Sequence, residues 1–134
     1  KKKNVISQEN EGSLEEIACL LIHASKIDEH YSIDEKNIIT KVLIKFGANK
    51  KEIENILKKA EDIEKNSNQI LDFTRKIKDV DKDKKLLIVK SLWEIIYSDD
   101  KSDMFEANLM RRLTGLLYLD PKEVGDLKEE VKNN

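Results

Sequence analysis

At 134 residues the chain is long enough to bury one hydrophobic core and too short to divide comfortably into two. Hydrophobic and charged residues each make up 39% of it, a balance that excludes both a disordered polyelectrolyte and a chain built to live in lipid. Lys and Arg number 25 against 27 Asp and Glu, with the signs interspersed, so the basic stripe of a nucleic-acid binder is missing and no nucleic-acid partner is expected.

The chain opens on Lys1-Lys2-Lys3, a short like-charge run that reads as a solvated terminus, and residues 1–12 are expected to form a flexible segment ahead of a single domain over 13–133. From there apolar residues recur at three- and four-residue spacing, with almost no strand-like alternation, which predicts an all-α fold of about seven helices. Leu14, Ile17, Ala18, Leu21 and Ala24 mark the first helix; Cys19, the only cysteine, falls among them as a buried small hydrophobe with no disulfide to make. Ile39, Val42, Leu43 and Phe46 mark the second, and Ile53, Ile56, Leu57 and Ala60 the third. Ile70, Phe73, Thr74 and Ile77 predict a connecting helix near residues 67–80. Val89, Leu92, Trp93 and Ile96 belong to a fifth helix that is apolar around most of its circumference and is therefore expected at the centre. Leu109, Met110, Leu113 and Leu117 give the sixth, and Val124, Leu127 and Val131 the last. Ser32 with Glu35, and Asp103 with Glu106, have the spacing of capping boxes. Asn49 with Glu52, and Asp120 with Pro121 and Glu123, mark two further helix starts. No signal peptide and no bilayer-spanning run is present, although a chain that begins at Lys1 leaves open a leader or anchor before it.

Residues 14–53 align with residues 85–124 at a constant offset and without a gap. Ile17 falls on Ile88, Leu21 on Leu92, Asp28 on Asp99, Glu35 on Glu106, Asn37 on Asn108 and Glu52 on Glu123. Apolar stripes alone align too easily to mean much, but caps and acids coincide at the same offset. The reading is an internally duplicated bundle of two three-helix units, about 14–63 and 85–133, joined by the connecting helix.

Each unit carries an acidic corner between its first two helices. The first runs from Asp28 to Glu35 and the second from Asp99 to Glu106. An aspartate where a helix ends opposes the negative end of the helix dipole, so something must offset it. One reading has the aspartates and glutamates accepting hydrogen bonds from turn amides. The other has aspartate, capping residue and glutamate converging on a hard, oxygen-seeking cation, Ca²⁺ or Mg²⁺, and the second corner, with Asp99, Asp100, Asp103 and Glu106, is better furnished for it than the first, which has Ser32 in the place of Asp103. An EF-hand is ruled out, since its sixth and twelfth positions would be Ile33 and Ile39, or Met104 and Met110, in place of Gly and Glu. His23 and His30 have no closed Cys/His spacing around them and do not suggest a transition-metal site.

The run Ile27-Asp28-Glu29-His30-Tyr31-Ser32-Ile33-Asp34-Glu35, followed by Phe46-Gly47-Ala48, resembles the first half of the TerB-like family. Leu71-Asp72-Phe73-Thr74, Leu92 to Asp100 and Arg111-Arg112-Leu113 are similar to its connecting helix and second half, and the resemblance covers roughly residues 13–127. It implies a duplicated helical bundle associated with tellurite resistance and chemical stress in bacteria, with metal, Ca²⁺ or Mg²⁺, held by the acidic corners: Asp28 and Glu35 in one candidate site, and Asp99, Asp103 and Glu106 in the other. It also implies a cytoplasmic location, in part peripheral to the inner membrane, since related domains occur in a membrane-anchored co-chaperone. Glu29 and Asp100 stand where the family has glycine, His30 and Lys101 where it has an acid, and Tyr118 where the first half has Gly47.

No nucleophile–base pair or phosphate-cradling glycine loop is visible, and the four glycines, 12, 47, 115 and 125, are isolated. The expected function is therefore a non-catalytic, protein-binding module with no small-molecule substrate. The alternative is a structural scaffold, or a co-chaperone-associated module, without metal.

Overall fold

Among the described residues, helical periodicity is realised as seven α-helices and a 3₁₀ turn. The computed structural model describes residues 2–26, 32–66, 70–75, 77–98 and 104–133. The helices are α1 (Lys2–Ser25), α2 (Ile33–Lys45), α3 (Lys50–Asn66), α4 (Ile70–Thr74), α5 (Lys82–Tyr97), α6 (Met104–Leu116) and α7 (Pro121–Lys132), with the 3₁₀ turn at Ile77–Asp79. Among the described residues there is no strand, as the periodicity predicts.

Two elements differ from the sequence reading. Helical backbone reaches back to Lys2, well before the apolar stripe begins at Leu14. The connecting helix is broken into the five residues of α4 and the 3₁₀ turn. Its apolar anchors, Ile70, Phe73 and Ile77, are all buried, but three side chains do not sustain a long helix, since isolated helices below about 12 residues are marginal.

The centre of the bundle also moves. α1 packs against α2, α3, α4, α5 and the 3₁₀ turn, and every side chain from Ile17 to Ile22 is at most 1% exposed. α5, expected at the centre, is the second hub: Ile88, Val89, Leu92, Trp93, Ile95 and Ile96 are buried, and α5 contacts α1, α2 and α7. α3 and α7 are strongly one-sided helices and lie against α1 and α5 respectively.

Polar groups inside this core are consumed by the backbone. Ser25, Ser91 and Thr114 each donate a hydroxyl to the carbonyl four residues earlier, at 2.9, 2.8 and 2.7 Å. The Trp93 indole N–H donates to Val124 O at 3.1 Å and ties α5 to α7, while its ring stacks on Tyr97 at 6.1 Å. The pairs Lys82–Glu123 (2.9 Å) and Lys90–Glu130 (3.1 Å) run along the same seam, where solvent screens them and leaves the packing to hold the helices together.

Two of the expected helix starts are capped by side chains. Ser32 Oγ accepts from Glu35 N–H at 3.1 Å and Glu35 Oε1 from Ser32 N–H at 2.8 Å, a complete capping box. Asp120 Oδ1 accepts from Lys122 N–H at 3.1 Å, with Pro121 opening α7. At Asn49 the start of α3 is closed by Glu52 N–H donating to the Asn49 backbone oxygen at 2.8 Å. The Asp103–Glu106 box lies outside the described residues.

α2 and α6 end in the same device, a Schellman motif. Ala48 N–H donates to Leu43 O and Gly47 N–H to Ile44 O, both at 2.9 Å. Leu119 N–H donates to Thr114 O at 2.9 Å and Tyr118 N–H to Gly115 O at 3.2 Å. The motif demands positive φ at its penultimate residue, which is 103° at Gly47 and 56° at Tyr118. A Cβ at Gly47 would meet no neighbour, so the cost of adding one is purely conformational. Gly47→Ala is therefore expected to lower stability by about 1–2 kcal/mol. In urea titration the midpoint should fall while the slope is unchanged.

Candidate functional site

Of the five acidic residues expected to form corner sites, Asp28, Asp99 and Asp103 lie outside the described residues, and only the backbone of Glu106, in the first turn of α6, is described. Glu35 is the one whose side chain can be placed. It is 2% exposed, and its Oε1 closes the capping box at the mouth of the first corner. Ahead of the second corner, α5 ends with Ser98 Oγ donating to Ile95 O at 2.6 Å. Among the described residues no group of three or more His, Cys, Asp or Glu side chains converges to hold a metal.

The first corner is anchored by a cluster whose acid the sequence reading did not single out. Glu64 of α3 is 6% exposed and places one carboxylate oxygen 3.0 Å from Lys26 Nζ and the other 3.2 Å from His23 Nδ1. A carboxylate only accepts, so this contact puts the imidazole proton on Nδ1. The imidazole also lies 5.6 Å from the Phe73 ring, tilted by 54°, which brings α4 into the cluster. α1 is thus stapled to α3 directly before residues 27–31. The signal in the sequence is positional: the buried stripe Ile53, Ile56, Leu57, Ala60 continues at helical spacing onto Glu64, an acid on an apolar face.

Cys19 is excluded as a nucleophile by its surroundings. Its thiol donates to Ala60 O at 3.6 Å, and its pKa is pushed up from 9.0 to about 12, first by burial and then by the negative charges of Glu15, Glu16 and Glu64. His23 and Cys19, though a turn apart on α1, are engaged with different partners on α3.

In its first turn, α5 contributes a buried lysine. Lys85 Nζ donates to Leu117 O at 3.0 Å, at the end of α6, and lies 5.8 Å from the centre of the Tyr118 ring.

A helical bundle with no strand among the described residues, its second helix opened by the Ser32–Glu35 capping box, defines the class of the chain. The family described as tellurite resistance protein TerB matches residues 14–129, and the chain belongs to that family. No curated protein and no solved structure matches it.

The buried thiol makes stability depend on alkaline pH. Cys19 titrates near 9 when unfolded and near 12 when folded, so above pH 9 the unfolded chain releases a proton that the native one retains. Its contribution is intact below pH 9 and is lost as pH rises through 12. Relative to Cys19→Ala, the wild type should lose stability across that window, as measured by urea titration at successive pH values.

Proposed function

We propose that the protein acts as a non-catalytic interaction module of a tellurite- and stress-response system, and that its acidic corners hold Ca²⁺ or Mg²⁺. Asp28 and Glu35 would supply oxygens at the first corner, and Asp99, Asp103 and Glu106 at the second. The observation that carries this reading is the family match across residues 14–129, joined to the burial of Glu35 at the mouth of its corner. The donor set is all carboxylate, the chemistry that hard divalent cations prefer. A bound ion would also offset the negative charge of the aspartates that follow α1 and α5 in the sequence, which would otherwise oppose the helix dipoles.

Support for a non-catalytic role comes from how reactive groups are used. The Cys19 thiol is protonated and packed, Lys85 is committed to the end of α6, and Glu64 holds α1 and α3 together. No helix of the described residues is long and apolar enough to cross a membrane. A cytoplasmic setting, in part at the inner-membrane surface beside a protein partner, belongs to the same proposal. So does the reading of the two halves as copies of one unit, supported by α2 and α6, whose bounds 33–45 and 104–116 differ by a constant offset.

The capping box favours a second reading, in which the corners are purely structural. Thermal melting separates the two. With Ca²⁺ or Mg²⁺ present at a hundred times its dissociation constant, a native-state site adds about 2.7 kcal/mol of stability relative to chelator. Asp99→Asn combined with Asp103→Asn should abolish most of the shift. No shift with either ion would leave the corners as caps alone.

A further inference from the structure

Lys85 and Tyr118 are each an anomaly, and they occur together. At the offset that superimposes the two halves of the sequence, Lys85 stands where the first half has Leu14, and Tyr118 where it has Gly47. A leucine and a glycine would bury and turn more cheaply. Instead the second half holds a cation that is 91% buried, and bends a tyrosine into the left-handed region at φ 56° with its side chain 75% exposed. Strain of this kind persists where the surroundings enforce it, and it concentrates at ligand clamps. Among the described residues Lys85 has no carboxylate partner; its Nζ meets only the Leu117 carbonyl and the face of Tyr118. A buried cation so compensated leaves net positive potential behind the Tyr118 ring.

That ring forms one wall of a cleft of about 330 Å³, lined also by Thr74, Arg75, Lys78, Gly115 and Leu116. Two more cations therefore face the same space. Arg75 makes a long, exposed contact of 3.5 Å with Asp72 and itself lines the cleft. Leu116 and the tyrosine ring supply apolar surface, and Gly115 leaves the floor open, since a Cβ there would meet nothing within 4 Å.

We propose that this cleft binds a small phosphomonoester carrying a planar ring, of the size of a nucleoside monophosphate. The phosphate sits against Arg75 and Lys78, with the field of Lys85 behind it, and the planar group stacks on Tyr118. The strained backbone is what projects the ring over the opening, a task that a glycine at the same turn could not perform. This site is separate from the acidic corners and does not depend on their binding metal.

The test is a titration of the full chain with adenosine 5′-monophosphate, followed by amide chemical shifts, with inorganic phosphate and adenosine as separate arms. Saturable shifts centred on residues 74–78 and 115–118 are expected. Lys78→Glu should weaken binding by about tenfold or more, the loss of one charge-assisted contact. Gly115→Leu fills the floor without changing charge and replaces a helical glycine with a strong helix former, so it should keep or raise the melting temperature while abolishing the shifts. Three results would overturn the proposal: no saturable shift, inorganic phosphate binding as tightly as the nucleotide, or a folded Gly115→Leu protein that still binds.

Discussion

From Ile17 to Ile22, α1 presents no face to water, and a helix buried on all sides must find a neighbour in every direction. The rest of the bundle answers that requirement. α3 covers one side, α2 and α5 others, and α4 with the 3₁₀ turn closes what remains through Phe73 and Ile77. Each large aliphatic side chain so enclosed is worth about 1.5–3 kcal/mol relative to exposure, which no surface ion pair approaches. The small residues Ala18 and Cys19 let neighbours come close: Cys19 donates to the backbone of Ala60, itself fully buried. The elevated thiol pKa is a by-product of that close packing.

The same constraint leaves side-chain caps and pairs to the ends of the helices. The Glu64 cluster lies just before residues 27–31 and the Ser32–Glu35 box just after them. The Schellman turn of α6 and the buried Lys85 hold Tyr118 beside the connecting segment, where Thr74, Arg75 and Lys78 line the same cleft.

Much of this was legible in the sequence because it depends on local rules. The helix class, the stripes of α2, α3, α6 and α7, the Ser32 and Asp120 caps and the Gly47 turn all follow from spacing and side-chain chemistry within a few residues. The resemblance carried by the corner motifs led to the right family. What escaped depends on long-range contacts. α1 as hub was hidden because Glu15 and Glu16 interrupt its apolar pattern, whereas the wider apolar face of α5 drew attention to the wrong helix. The break between α4 and the 3₁₀ turn reflects how few apolar anchors that segment has. Glu64 and Lys85 acquire meaning only from partners dozens of residues away: His23 and Lys26 for the first, the end of α6 for the second.

If α1 is the element on which the others depend, its central amides open only when the whole domain unfolds. Native-state hydrogen exchange measures this residue by residue. Amides from Leu20 to Ala24 are predicted to exchange in the slowest class, together with those of α5 from Leu92 to Ile96, with an opening free energy equal to that of global unfolding. Exchange of the α1 amides at the rate of the peripheral α7, while α5 stays protected, would contradict a bundle organised around α1.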